Sequence, residues 1–299
     1  MHWSVENIPN LQGKRVLITG ANSGIGLEAA KVFAANNAQV ILACRNADKG
    51  SQAMDVIKQA TPQANLTLMN LDLSSLDSVR SFCDDFKKEY NHLDILVNNA
   101  GVMAPPYAKT QDGFESQFGT NHLGHFTLTA LLLPLLEQSE AGRVVVVSSV
   151  AHRVGKIRFN DLNWEKRYSR WLAYGQSKLA NLLFAKELQR RLTANGSKVI
   201  AVAVHPGYSS TNLQRHIFGG NLMNALISQS QEKGALPTLC AATHEGLKGG
   251  EYIGPDGFME MKGKPDFAYS APLSNDESVA KKLWEVSEQM TQEAFLSAA

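Results

Sequence analysis

The sequence predicts an α/β fold: one domain built on a doubly wound parallel sheet. Three observations carry this. Strand and helix patterns alternate from residue 15 to residue 204. The strands read as short, nearly continuous apolar runs, as strands do when helices cover both faces of a sheet. No linker and no internal repeat divides the 299 residues, so residues 1–299 are expected to form a single domain.

Taken in order, Arg15-Val16-Leu17-Ile18-Thr19 reads as a buried strand. A glycine-rich turn at 20–26 leads into a helix over 27–36. A second strand is predicted at 39–43 and a second helix at 48–60. A third strand follows at 66–71, then a helix over 75–90 with apolar positions at Leu76, Val79, Phe82 and Phe86. Further strands are predicted at 94–97, 143–147 and 198–204. The apolar run 179–184 has the composition of a buried helix, and helices are predicted at 232–244 and 276–289.

The chain is 44% hydrophobic and 19% charged, ample material for a core. Its net charge is +1, from 29 basic and 28 acidic residues, with no basic tract, which argues against a nucleic-acid partner. Cys44, Cys83 and Cys240 form neither a disulfide framework nor a zinc pattern, and fit a reducing compartment. His122 and His125 could share a helix face, but no companion ligands support a metal site there. The first ten residues carry Glu6 and Pro9 and no apolar core, so no signal peptide is read there. The apolar run 128–136 is too short to span a membrane and contains Pro134. A cytoplasmic protein without an integral membrane segment is the expectation.

Three stretches point to chemistry. Gly20-Ala21-Asn22-Ser23-Gly24-Ile25-Gly26 joins a strand to a helix. Glycines there permit a tight turn and let backbone N–H groups approach a pyrophosphate at the helix N-terminus. At the end of the second strand, an NAD-selecting site offers a carboxylate to the adenosine ribose. The chain reads Leu42-Ala43-Cys44-Arg45 instead, and a guanidinium can fork onto a 2′-phosphate, which favours NADP over NAD. Lastly, Tyr174 and Lys178 stand four apart in Tyr174-Gly175-Gln176-Ser177-Lys178 and share a helix face. An ammonium beside a phenol favours the phenolate and is expected to lower its pKa, tuning the phenol for proton transfer.

With these motifs stand Asp72-Leu73, Asn98-Asn99-Ala100-Gly101, Asn121, Ser148-Ser149 and Pro206-Gly207, in that order along residues 15–211. The series resembles the short-chain dehydrogenases/reductases, a Rossmann-type family. The resemblance implies a role at each position. Gly20, Asn22, Ser23, Gly24, Ile25 and Gly26 would cradle the cofactor's pyrophosphate and Arg45 its 2′-phosphate. Asp72 and Leu73 would meet the adenine. Asn99, Ala100 and Gly101 would line the cofactor. Ser149 would hydrogen-bond the substrate oxygen and Tyr174 would transfer the proton. Lys178 would bind the nicotinamide ribose and lower the pKa of Tyr174, and Asn121 would hold a water linking Lys178 to solvent. Pro206, Gly207 and Thr211 would contact the nicotinamide end.

Ser149 and Tyr174 are 25 positions apart, about twice the separation in many members. The insert, 151–173, is rich in aromatic residues. It and the closing stretch 249–257 resemble the branch that holds retinol dehydrogenases and protochlorophyllide reductases. That implies an NADP(H)-dependent enzyme acting on a small but bulky apolar carbonyl or alcohol. A lid over the substrate is expected at 208–231, where apolar side chains flank Gly219 and Gly220. Two rivals stay open: an NADP(H)-sensing binding or scaffold protein, and a reductase of carbon–carbon double bonds. In this family the helices at 128–136 and around Tyr174 often form a subunit interface, so a homo-oligomer is allowed, although the insert could cover that surface.

Overall fold

The computed structural model of the protein describes residues 1–207 and 230–296. Eight strands form one sheet there: β1 (Arg15–Thr19), β2 (Gln39–Cys44), β3 (Asn65–Asn70), β4 (Ile95–Asn98), β5 (Arg143–Val147), β6 (Ile200–Val204), β7 (Tyr252–Pro255) and β8 (Pro265–Phe267). Their order is β3-β2-β1-β4-β5-β6-β7-β8, with every pair parallel except the last. Val16 on β1 lies opposite Val40 on one side and Ile95 on the other, so the two central crossovers run in opposite directions from β1. Such a reversal opens a crevice beyond the carboxyl ends of the strands.

The helices are α1 (Gly24–Ala35), α2 (Ala47–Ala60), α3 (Leu76–Glu89), α4 (Gly124–Leu136), α5 (Arg170–Ala194), α6 (Gln231–Thr243) and α7 (Glu277–Thr291). Side chains alternate across the sheet with the strand period of two. Val16, Ile18, Val40 and Leu42 enter a core with α1, α2 and α6. Leu17, Ile41, Leu96 and Val144 enter the opposite core with α3, α4 and α5. Polar caps set several helix starts. Asn46 accepts from the Lys49 N–H at α2, Ser75 from Ser78 at α3, and Asp276 from Ser278 and Val279 at α7. At α1 the Ser23 side chain makes no such bond. This helix starts three residues before the predicted one, because Gly24-Ile25-Gly26 form its first turn.

The insert makes one short turn, Val150–Val154, and then runs without regular structure to α5. Gln176 on α5 pins it: its Oε1 accepts from the Arg158 N–H at 3.0 Å and its Nε2 donates to the Leu162 carbonyl at 3.0 Å. Ile157, Phe159 and Leu162 then pack with Leu179 and Leu183 of α5 and Leu283 of α7. Insert and terminal helix therefore cover a face of the helix that bears Tyr174. The expected lid, 208–231, lies outside the described residues apart from Ser230 and Gln231, the cap and first residue of α6.

Trp284 fixes α7 in place. It is buried among Phe126, Phe184 and Phe295, lies under the Arg191 guanidinium at 4.4 Å, and donates from Nε1 to Glu288 at 2.9 Å. Trp284→Phe removes the second ring and that hydrogen bond, and is expected to cost about 2 kcal/mol of stability. Denaturant unfolding checks this; a loss under about 0.5 kcal/mol would show that α7 contributes little to the fold.

Candidate active site

The crevice at the carboxyl ends of the strands is a cleft of about 970 Å³. The loop after every strand from β1 to β6 contributes to it. Gly20, Asn22, Ser23, Gly24, Ile25 and Gly26 line it after β1, and Arg45 after β2. Asp72 and Leu73 follow β3, Asn99, Ala100 and Gly101 follow β4, and Ser149 follows β5. Pro206 and Gly207 follow β6, while Tyr174 and Lys178 enter from α5. Residues as far apart in the chain as Gly20 and Gly207 thus meet because parallel strands deliver all their ends to one edge. Thr211 lies outside the described residues.

The glycine turn suits an anionic, extended ligand. Gly20 and Gly24 have φ of +68° and +60°, conformations that side chains with a Cβ rarely adopt. Gly26 serves packing instead: a Cβ there would stand 2.6 Å from Asn99 Nδ2. The Ser23 side chain does not cap α1, so among the described residues its first N–H groups are open to a ligand, and this terminus lines the cleft. These features fit a dinucleotide.

At the end of the cleft beside β2 and β3 the Arg45 guanidinium is 70% exposed and stands 3.8 Å from Asp72 Oδ1. Asp72 also accepts from the Ser74 N–H and hydroxyl at 2.9 and 2.6 Å, which fixes the carboxylate beside the cleft. Lys49, in the first turn of α2, adds a second cation to this wall. Sequence reasoning missed Lys49, since nothing in the sequence alone says that this lysine faces the end of β2.

At the other end Tyr174 faces Ser149, whose hydroxyl accepts from the Ala151 N–H at 3.2 Å. The Lys178 ammonium donates to the Val147 carbonyl at 3.1 Å and lies 5.8 Å from the Tyr174 ring centroid. The expected lowering of the phenol's pKa is absent. Burial pushes Tyr174 up to about 12 against the opposing hydrogen bond from Ser149, and burial brings Lys178 down to about 8. Desolvation outweighs the attraction between the two groups.

Asn121 lies behind the cleft, fully buried, inside a π-helical turn (Gly119–Leu123) that runs into α4. Such turns widen a helix by one residue. Its Oδ1 accepts from the Val102 N–H at 2.8 Å, and its Nδ2 donates to the Val102 carbonyl and to Ser177 Oγ. Its backbone carbonyl faces His125 Nδ1 at 2.9 Å, so the His125 proton sits on Nδ1. His125 Nε2 then accepts from the Thr19 hydroxyl at 2.9 Å, and Thr19 Oγ1 accepts from the Asn99 and Ala100 N–H groups, each at 2.9 Å. His125, pushed down to about 4 by burial, is neutral and ties the β1 and β4 loops to Asn121. The sequence places His125 four residues after Asn121, which suggests the shared helix face but not the bond to Thr19.

The remaining wall near Tyr174 is apolar: Val102, Met103, Val150, Val154 and Trp171 line it. Val154 and Trp171 are 61% and 47% exposed at its mouth. No helix among the described residues is long and apolar enough to cross a membrane.

Comparison with known proteins agrees with this geometry. Residues 14–221 match the family described as short chain dehydrogenase. The chain is 46% identical to human retinol dehydrogenase 12, over 93% of this chain and 86% of that one. It is 43% identical to mouse retinol dehydrogenase 14, over 94% and 86%. Among solved structures, an uncharacterized protein from Mycobacterium paratuberculosis superposes with a TM-score of 0.83 at 44% identity, covering 99% of both chains. The NADP complex of Pseudomonas aeruginosa RhlG superposes with a TM-score of 0.67 at 25% identity, over 84% of this chain and 98% of that one. This chain belongs to the short-chain dehydrogenase family of oxidoreductases, in its retinol-dehydrogenase-like branch.

Proposed function

We propose that the protein is an NADP(H)-dependent enzyme interconverting a carbonyl and an alcohol on a bulky apolar substrate. The observation that carries this reading is one continuous cleft with Arg45 and Lys49 at one end and Tyr174, Ser149 and Lys178 at the other. Two cations and no β2-end carboxylate suit a 2′-phosphate. The NADP bound by RhlG adds support for that choice. The apolar wall of Met103, Val150, Val154 and Trp171 suits a large hydrocarbon skeleton.

NADPH held there by the glycine turn, Arg45 and Lys49 would supply the hydride that reduces the carbonyl carbon. Tyr174 holds a proton on its hydroxyl and gives it to the substrate oxygen. Ser149 hydrogen-bonds the same oxygen, so charge developing on it meets two placed donors. The Lys178 ammonium keeps positive charge beside the phenol and makes proton loss easier. Asn121, spent on Val102 and Ser177, holds the floor under these groups. In the reverse direction Tyr174 takes the proton from the alcohol.

The test is cofactor oxidation with purified protein against apolar aldehydes, ketones and enones. NADPH is expected to be used at least about tenfold better than NADH, with an alcohol as product, as for one charge-assisted contact to the phosphate. A saturated ketone from the enone would assign carbon–carbon reduction. NADPH binding with no turnover on any member would favour a sensor.

A further inference from the structure

Behind the nicotinamide end of the cleft lies a buried cluster that the proposed chemistry does not use. His205 follows β6 and is completely buried. Its Nδ1 accepts from the Gly207 N–H at 3.2 Å, so this nitrogen carries no proton and Nε2 does. Nε2 lies 3.2 Å from Glu260 Oε2, close but out of line for a hydrogen bond. The same oxygen accepts from Arg153 Nη2 at 2.5 Å, and Glu260 Oε1 accepts from the Tyr269 N–H at 2.7 Å. Burial alone would raise the Glu260 pKa. The His205 contact, the Tyr269 N–H and Arg153 outweigh it and hold the carboxyl below its ordinary range, so it is charged.

The backbone is bent to make these contacts. Met259 and Glu260 are both left-handed, with φ of 51° and 57°, a conformation unfavourable for residues with a Cβ. The turn is held by Glu260, whose carboxylate it aims inward, while the neighbouring Phe258 is 81% exposed. Two close approaches fix the ring and the loop. A Cβ on Gly254 would stand 1.9 Å from His205 Nε2, and one on Gly207 would stand 2.4 Å from the Met261 carbonyl. Gly207 itself has φ of +68°. His205, Glu260 and Arg153 therefore join three loops: the one that continues from Ser149, the one that holds Pro206 and Gly207, and the strained turn after β7.

We propose that His205 and Glu260 are positioning residues: Glu260 orients the His205 ring, and His205 Nδ1 sets the Gly207 N–H and with it the Pro206–Gly207 turn that receives the nicotinamide half of the cofactor. This rests on the NADP(H) reading above. It predicts an effect confined to one half of the cofactor and dependent on one ring nitrogen.

Asparagine can place an oxygen where Nδ1 stands, whereas glutamine reaches the Nε2 position and leaves Gly207 without an acceptor. Binding of NADPH and of adenosine 2′,5′-bisphosphate, which has no nicotinamide, is measured by calorimetry on each variant. His205→Gln and Glu260→Ala are expected to weaken NADPH about tenfold and to leave the bisphosphate within about twofold; His205→Asn should keep NADPH within about threefold. Equal behaviour of the Asn and Gln variants, or equal weakening of both ligands, would overturn the proposal. Nitrogen NMR of the unsubstituted protein supplies a test independent of any variant: His205 must be the Nε2–H tautomer, and the Nδ1–H tautomer overturns it. If the unsubstituted protein binds neither ligand, the cofactor reading itself fails and the proposal falls with it, a result distinct from failure in the variants alone.

Discussion

Tyr174→Phe is expected to lower kcat for carbonyl reduction by at least about 10³-fold while NADPH affinity stays within about threefold. The substitution keeps the ring of a residue that is only 8% exposed and deletes only the hydroxyl, so the fold should be intact. What is lost is both a proton donor and one of two hydrogen bonds to the oxygen on which charge develops. Ser149→Ala removes the other bond but leaves the proton donor, and is expected to cost about 10²-fold. Residual turnover within tenfold in Tyr174→Phe would remove Tyr174 from the mechanism.

The pH dependence follows from the same pair. Lys178 is a base pushed down to about 8, so it is charged below that pH and neutral above it. Tyr174, near 12, stays protonated throughout the working range. Reduction needs the ammonium and the protonated phenol together. The ratio kcat/KM for NADPH reports the free enzyme, so it is expected to be level below pH 8 and to fall about tenfold per unit above it. In Lys178→Met the profile should be lower and lose that break. A profile that rises above pH 8 would contradict the assignment of the ammonium as the required form.

The sequence and the structure agree best where side-chain pattern decides the outcome. The strand at 15–19 is found where its apolar run predicts it, and the others up to β6 fall within two residues, because burial on both faces selects such runs. The pair β7 and β8 was not legible. Gly254, Pro255 and Gly257 punctuate that stretch like a turn, yet β7 lies parallel to β6, with Gly254 bare where the His205 ring needs room. The cleft residues were legible as a series in order, since most sit just past a strand end and Tyr174 and Lys178 stand one turn apart on α5. Their partners were not. Thr19 meets His125 across 106 positions, and Arg153 meets Glu260 across 107. No local period encodes such pairs. The pKa of Tyr174 failed for a related reason: spacing gives the distance between two groups on a helix but not the depth of burial that outweighs their attraction.

Arg45→Asp is expected to shift cofactor choice from NADPH towards NADH by about 10²- to 10³-fold in the ratio of kcat/KM values. Two effects add. The guanidinium that would pair with the 2′-phosphate is removed, a contact worth about 1.5–3 kcal/mol for a charged hydrogen bond. The new carboxylate adds a second negative charge to the wall that already holds Asp72, so a phosphate would face two like charges. NADH gains instead, because a carboxylate after β2 can accept from its free ribose 2′-hydroxyl. Lys49 remains in the variant and should keep the loss of NADPH from being complete. Since Arg45 is largely exposed, its contribution is screened, and the NADPH preference of the unsubstituted protein should shrink between low salt and about 0.5 M salt. Lys49→Ala is then expected to give a smaller change of the same sign, about fivefold, without any gain for NADH, because it adds no acceptor. Cofactor ratios that are unchanged in Arg45→Asp would mean that the 2′-phosphate is held elsewhere and that the absence of a carboxylate after β2 does not decide the choice.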